Sequence, residues 1–334
     1  MNVVPVEFVR VMPEDMRKFV RELYRRVGKS ADRARLMAQL LVGTDIRGVF
    51  SHGTRQSARY LRLLRDGELN PNPESSIAHL TPTTATIDGD GGLGHFASWR
   101  AAHLAVEKAS AAGMSAVVTR NHFHFGAASK YSRVISGAGM AGFVVSSHVR
   151  RLSSDQGIMA ANGASPMSFA VPSGREHPLV LDMSTALAPY GSGNFETIFQ
   201  RMPATFFKSL GLGAVCHALG GLLAGIQTFD EQGASWPAVN QGSFILAVDI
   251  AAFAPQEAFQ RQMDDFISDV RGLQPFPGED RALLPGALEW EREQSWASEG
   301  IPVGPDHQRD LAAIAAELGV ETPFQGCAGR SGGT

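Results

Sequence analysis

Between residues 84 and 181 the chain alternates short β-type runs with stretches of helical spacing, and no other feature constrains its fold as strongly. The runs fall at 84–87, 115–119, 142–146 and 178–181, with helical patterns over 96–112 and 127–138 between them. Such alternation predicts an α/β unit in which helices cover a sheet. A long apolar helix over 206–226 and a strand in "GSFILAVDI" extend the same texture.

The two ends of the chain read differently. Residues 13–27 set Met16, Phe19, Val20, Leu23 and Val27 on one helical face. Ser30 is placed to cap a second helix running to about 45, and a third is expected from Ser51 to about 66. The prolines of "NPNPESS" then break the pattern and mark a boundary. Beyond the α/β stretch, helices are expected over 259–270 and 306–318, the last ended by Gly319. The segment 274–305, rich in proline, glycine and charge, reads as an ordered arm, and the closing "GCAGRSGGT" as a frayed tail.

Composition narrows the function classes. With 334 residues, 44% of them hydrophobic and 19% charged, the chain suits two or three units with ordinary globular cores. A net charge of −3 without a dense basic run leaves no electrostatic footprint for nucleic acid. Cys216 and Cys327 match no metal or redox spacing, which points to a reduced, cytoplasmic protein. The N-terminus lacks the charged-then-apolar order of a signal peptide. The apolar run 210–226 is short for a bilayer and carries His217, so it reads as a buried helix.

Four stretches carry chemistry. In "DIRGVFSHGTRQSARY", a helix capped by Ser51 would put His52 in its first turn, where the dipole keeps an imidazole near neutral. Arg55, Gln56 and Arg59 would share its face. A histidine that donates a proton beside a guanidinium that grips a carboxylate suits reduction of a 2-oxo acid; a solvated helix start is the plain reading. "GDGGLG" at 89–94 satisfies the G-x-G-x-x-G pattern between a strand and a helix, but the next strand ends in Arg120 where a Rossmann unit wants an acid.

In "RNHFHFGAASKY", His122 and His124 would face one way if the piece is extended, lining a pocket. Metal ligation there lacks a third ligand, and no metal site is expected. "PLVLDMST" drives an apolar strand into Asp182, suited either to ribose hydroxyls or to capping the next turn. Lys208, entering the apolar helix, either meets an anion or lays its stem on the helix and its head in water.

Seven stretches taken in order resemble the type-2 malate/L-lactate dehydrogenase family. They are "DIRGVFSHGTRQSARYLRLLRDGELNP", "DGDGGLGHFASWRAAHLAVEKA", "NHFHFGAASKYS", "GASPMSFAVP" with "PLVLDMST", "FFKSLGLGAVCHALGGLLAG", "GSFILAVDIAAF", and "LLPG" followed by "GIPV". The family also holds ureidoglycolate, sulfolactate and diketogulonate oxidoreductases and cyclic ketimine reductases. The resemblance implies an α/β fold with a mixed sheet, a non-Rossmann NAD(P)-binding domain over 81–254, and a helical domain from both chain ends, 1–80 plus 255–334. It implies a homodimer with NAD or NADP as cofactor, acting on a small 2-oxo or 2-hydroxy acid or a cyclic imine.

By the same resemblance, His52 matches the proton donor, supported by Ser51, and His124 matches a second active-site histidine. Ser147, His148, Asp182, Met183, Ser184, Lys208, Leu284, Pro285 and Gly286 match cofactor contacts. The departures concern substrate gripping. Gln56 stands where the family has an arginine, and Arg55 lies one position earlier, a helical rotation of about 100°. Ser192 falls near a position where a lysine is usual, the loop 193–207 is shortened, and Ala287 replaces a usual glutamate. The leading expectation is an NAD(P)-dependent oxidoreductase of 2-oxo acids, with a ketimine reductase or a nonenzymatic descendant that keeps the cofactor as alternatives.

Overall fold

In a computed structural model, which describes residues 3–187, 195–226 and 236–324, the contacts divide the chain between 73 and 74 and again between 285 and 286. The N-terminal residues begin with β1 (Val9–Val11) and α1 (Pro13–Arg26). Pro13 opens α1, Glu14 and Asp15 face its positive end, and Met16, Phe19, Val20 and Leu23 are buried. Ser30 caps α2 (Ala31–Asp45) by accepting from the Arg33 N–H, as its position predicts. The third helix departs from expectation. Two 3₁₀ turns, Phe50–His52 and Thr54–Gln56, precede α3 (Ser57–Arg65), so His52 is not in the first turn of an α-helix.

Residues 74–285 form the α/β unit. Its elements in order are β2 (Ser76–Leu80), β3 (Thr84–Asp88), α4 (Gly94–Ala112), β4 (Met114–His122), α5 (Ser129–Gly137) and β5 (Met140–His148). Then follow β6 (Pro166–Val171), β7 (Leu179–Ser184), α6 (Phe195–Arg201), α7 (Pro203–His217), β8 (Gln241–Asp249) and α8 (Gln256–Arg271). Among the described residues the sheet's seven strands are ordered β2-β3-β4-β8-β5-β6-β7, and only β3 and β4 pair in parallel. This is the expected mixed sheet and not the all-parallel one of a Rossmann unit. The alanines of α4 (Ala97, Ala101, Ala102, Ala105, Ala109) bury against Ile87, Val117 and Ile245 with almost no exposure, letting the helix lie close to the sheet.

Several segments correct the sequence reading. β2 is an exposed edge strand and β6 starts at a proline; neither carries an apolar alternation strong enough to show in the sequence. The apolar stretch 206–226 is not one helix. It passes from α7 into a π-helical turn, Ala218–Leu222, where Gly220 comes so near β5 that a Cβ would lie 3.1 Å from Ser146 Cα. The shortened loop is partly helical: the Phe195 and Phe199 rings of α6 pack edge-on against Phe206. Ser192 and Gly193 lie outside the described residues.

The chain's contacts divide at 285/286, which keeps α8 with the α/β unit. Asp264 of α8 accepts from the N–H groups of Gly174, Arg175 and Glu176, which binds that helix into the α/β unit. The expected arm 274–305 contains α9 (Ala287–Glu299) and β9 (Ile301–Val303), the latter antiparallel to β1. The chain then enters α10 (Pro305–Leu318), ended as predicted by Gly319 in the left-handed region. Among the described residues no helix is long and apolar enough to cross a membrane.

Candidate active site

In the unit of the chain ends, His52 sits at the last position of a 3₁₀ turn. Ser51 Oγ lies 2.9 Å from His52 Nδ1, and Gln56 Nε2 donates to Ser51 O at 2.7 Å. Asp45, at the end of α2, is fully buried beneath this turn and accepts from the Thr54 N–H and the Thr54 hydroxyl. The same hydroxyl lies 2.8 Å from His307 Nε2 on α10. Gly53 is required between them, because a Cβ there would collide with Asp45 Oδ1. Burial, with the Arg55 cation adding to it, lowers His307 to about 4, so its ring is neutral.

Arg55 does not share a helical face with His52. Its Nε donates to Asp310 Oδ2 at 2.7 Å, one turn beyond His307 on α10, while Arg59 lies exposed on α3. Neither Asp45 nor His307 carries a local sequence signal for this role. Asp45 is nine residues from Thr54, and His307 is brought in from 253 residues away.

In the α/β unit, the strand directions collect the other candidates at one end of the sheet. β4, β5 and β7 run the same way and end there, where β6 and β8 begin. The register puts His122 and His148 on either side of Gln241, and Ser184 opposite Pro166. Asp182, exposed on β7, accepts from the N–H and hydroxyl of Ser129 at the start of α5. It therefore caps a helix 53 residues earlier in sequence, not the turn that follows it. Met183 is half-buried, and Ser184 Oγ accepts from the Ala186 N–H at 3.2 Å.

Ser209 of α7 ties the end of β7 to the helix: it donates to Thr185 O at 2.6 Å and accepts from the Leu187 N–H at 3.2 Å. Lys208, its neighbour, is exposed, so no burial of its charge needs compensating. Val180 N–H donates to Pro285 O at 3.0 Å, which holds the 284–285 loop beside β7. Gly286 follows in the left-handed region at φ +96° and precedes α9.

Arg150 braces the end of β5, donating to Ser165 Oγ at 2.8 Å, Ser147 Oγ at 3.3 Å and Ala161 O. Ser147 Oγ also meets His217 Nδ1 at 2.9 Å. Burial first and the Arg150 cation second lower both His148 and His217, the latter to about 4. Arg150 and His217 escaped the sequence reading because an arginine after a strand and a histidine in an apolar helix have many plain explanations.

A protein-family model described as malate/L-lactate dehydrogenase matches residues 11–197 and 195–312. The chain belongs to that family. Malate dehydrogenase from Pyrococcus horikoshii is 26% identical over 95% of this chain and 98% of its own, and a solved structure of it superposes with a TM-score of 0.84. L-sulfolactate dehydrogenase from Methanocaldococcus jannaschii is 27% identical over 92% of this chain and 97% of its own. A Δ1-piperideine-2-carboxylate reductase from Pseudomonas syringae shares the fold, with a TM-score of 0.70, 19% identity and coverage of 92% of this chain and 99% of its own.

Within this member of the malate/L-lactate dehydrogenase family, the glycine-rich turn has a structural role. Gly89 N–H donates to Arg120 O, Gly91 N–H to Asn121 O and Gly94 N–H to Phe123 O. Those amides are occupied by the end of β4, and the turn offers no cradle for a pyrophosphate. The paired-histidine reading also needs correction. The run is not uniformly extended, with Asn121 at φ +54°, and the two rings differ in burial. His122 is fully buried between Thr119 Oγ1 (2.8 Å) and Phe123 O (2.7 Å) and is lowered by burial to about 4; His124 is half-buried past the strand's end. Among the described residues no group of three or more His, Cys, Asp or Glu side chains is placed to hold a metal.

Proposed function

We propose that this chain is an NAD(P)-dependent oxidoreductase of 2-oxo and 2-hydroxy acids, with His52 exchanging the proton at the reacting oxygen. The observation that carries the reading is the Ser51–His52 pair, 2.9 Å apart, in a chain that matches the dehydrogenase family over nearly its whole length. Ser51 Oγ occupies Nδ1, donating or accepting according to the tautomer, and proton exchange is accordingly assigned to Nε2. The malate and sulfolactate dehydrogenases it resembles are named for hydroxy acids, which supports that substrate class.

Asp182, Met183, Ser184, Ser147, His148, Lys208, Leu284, Pro285 and Gly286 would hold the nicotinamide cofactor, which supplies or accepts the hydride when bound. The chemistry of this set suits it. Asp182 is an exposed acceptor for ribose hydroxyls, and Lys208 is an exposed cation for a phosphate. His124 would line the reacting end. Arg55 would grip the substrate carboxylate in competition with Asp310, its partner at 2.7 Å. Arg55→Ala is expected to raise KM for carboxylate substrates about tenfold while leaving cofactor affinity unchanged.

The test is oxidation of NADH and of NADPH across oxaloacetate, pyruvate, branched 2-oxo acids and cyclic ketimines. Turnover of a 2-oxo acid that falls by about 10² or more in His52→Ala supports the reading. Turnover confined to ketimines would replace the substrate class. Cofactor binding without turnover of any of these would favour a nonenzymatic role.

A further inference from the structure

We infer that Asp45, Thr54 and His307 form a positioning set that holds His52 for proton exchange, an inference that rests on the role proposed for His52 above. A 3₁₀ turn has poor hydrogen-bond geometry and little rigidity of its own. The turn Phe50–His52 has one internal bond to the following residue, Gly53 N–H to Phe50 O at 3.3 Å, and Gly53 separates it from the next turn. Ser51 is exposed and His52 half-buried, and beside the Gln56 Nε2 bond to Ser51 O the His52 N–H donates to Val49 O at 3.1 Å. The bracing comes from below and from both sides.

On one side, Phe50 stacks on Trp296 (centroids 6.0 Å apart, planes 15°) and meets the His307 ring edge-on at 6.1 Å. On the other, the buried Asp45 carboxylate lies against Gly53 and takes the Thr54 N–H and hydroxyl. Proton accounting then fixes the third member. The hydroxyl has one hydrogen, and a carboxylate only accepts. Thr54 therefore donates to Asp45 and accepts from His307 Nε2–H. The ring is neutral, as its burial requires, and carries its hydrogen on Nε2. One unbroken chain of donors, from His307 through Thr54 to Asp45, thus closes under the residue after His52.

The consequence is kinetic. Displacing a proton donor by about an ångström costs on the order of 10²-fold in rate without a change in the donor itself. Thr54→Val keeps the shape and removes the hydroxyl; Thr54→Ser keeps the hydroxyl. His307→Leu removes the N–H donor, and His307→Gln restores one of similar reach.

The experiment measures kcat, its solvent deuterium isotope effect and the dissociation constant for the nicotinamide cofactor in these four variants, beside His52→Ala. We expect kcat to fall about tenfold or more in Thr54→Val and His307→Leu, with a larger isotope effect and unchanged cofactor affinity. Thr54→Ser and His307→Gln should stay within about threefold of the parent. If Thr54→Val does not fold, the His307→Leu and His307→Gln pair decides alone. Parental kcat and isotope effect in the hydroxyl- and donor-less variants, where His52→Ala is inactive, would overturn this inference and leave the proposed function standing. An active His52→Ala would overturn both.

Discussion

Asp45 and Asp182 make the same local contact in two settings. Each carboxylate accepts the backbone N–H and the hydroxyl of one residue, Thr54 for Asp45 and Ser129 for Asp182. Asp45 is sealed, with no exposed surface and with His307 closing the far side of its partner's hydroxyl. Asp182 keeps exposed surface at the end of the sheet, although burial around its carboxyl raises it above the ordinary carboxylate range. A sealed carboxylate has every lone pair answered by protein and serves geometry; an open one keeps capacity for a ligand.

The largest test of that contrast is to remove each carboxylate. Asp45→Ala leaves a buried N–H and a buried hydroxyl without their acceptor, and its cost should be about 3–4 kcal/mol in denaturant unfolding. Asp182→Ala removes only an exposed helix cap and should cost about 1 kcal/mol or less. Its larger effect should appear in binding, with NAD(P)H affinity reduced about tenfold by loss of one hydrogen-bonded contact. Equal destabilisation by the two substitutions, or cofactor affinity insensitive to Asp182, would break the distinction.

A smaller effect should appear in acid. His307 in the sealed turn and His122 at the sheet's end are both buried, and burial lowers each to about 4 from an ordinary 6.5. The folded state thus binds fewer protons than the unfolded state between those values. The stability these neutral rings contribute is fully present above pH 6.5 and is lost as pH falls toward 4. Each histidine accounts for on the order of 2–3 kcal/mol of that loss. Thermal midpoints followed from pH 7 to 4 should fall less steeply in His307→Gln, whose side chain does not titrate. An unchanged slope would mean that His307 is not buried as a neutral ring in solution.

Local signals and distant ones differed in how well the sequence exposed them. Ser30, the apolar face of α1 and the strand Gln241–Asp249 were legible because a cap, a 3.6-residue period and a β-branched run each act within a few residues. His52 stood out because a histidine between a serine and a glycine needs an explanation, but its setting was misread. A helix start at Ser51 is consistent with the local residues, but Gly53, at ψ −144° and packed against Asp45, separates two 3₁₀ turns there. His122 is a similar case: its burial between Thr119 Oγ1 and Phe123 O depends on packing at the end of β4 that its neighbours in sequence do not signal. The role of Asp182 as a cap depends on Ser129, which only the order of strands brings near. α9 was missed because its sequence mixes charge with tryptophan in no clear stripe, and its burial centres on Trp296 and Ala287.

The smallest effect sharpens the same contrast through two glycines. Gly53 cannot accept a Cβ without displacing the sealed carboxylate, so Gly53→Ala belongs with Asp45→Ala at the top of the scale. Gly211 lies in the middle of α7, exposed, with nothing within 4 Å of a built Cβ and no positive φ. A helical glycine in open space carries only its entropic cost, so Gly211→Ala should stabilise the α/β unit by about 0.5–1 kcal/mol. A thermal midpoint raised by a few degrees would mark that helix face as one whose glycine serves no packing role. A fall in the midpoint would mean that some part of the folded chain approaches Gly211 closely, and would place that face with the sealed region after all.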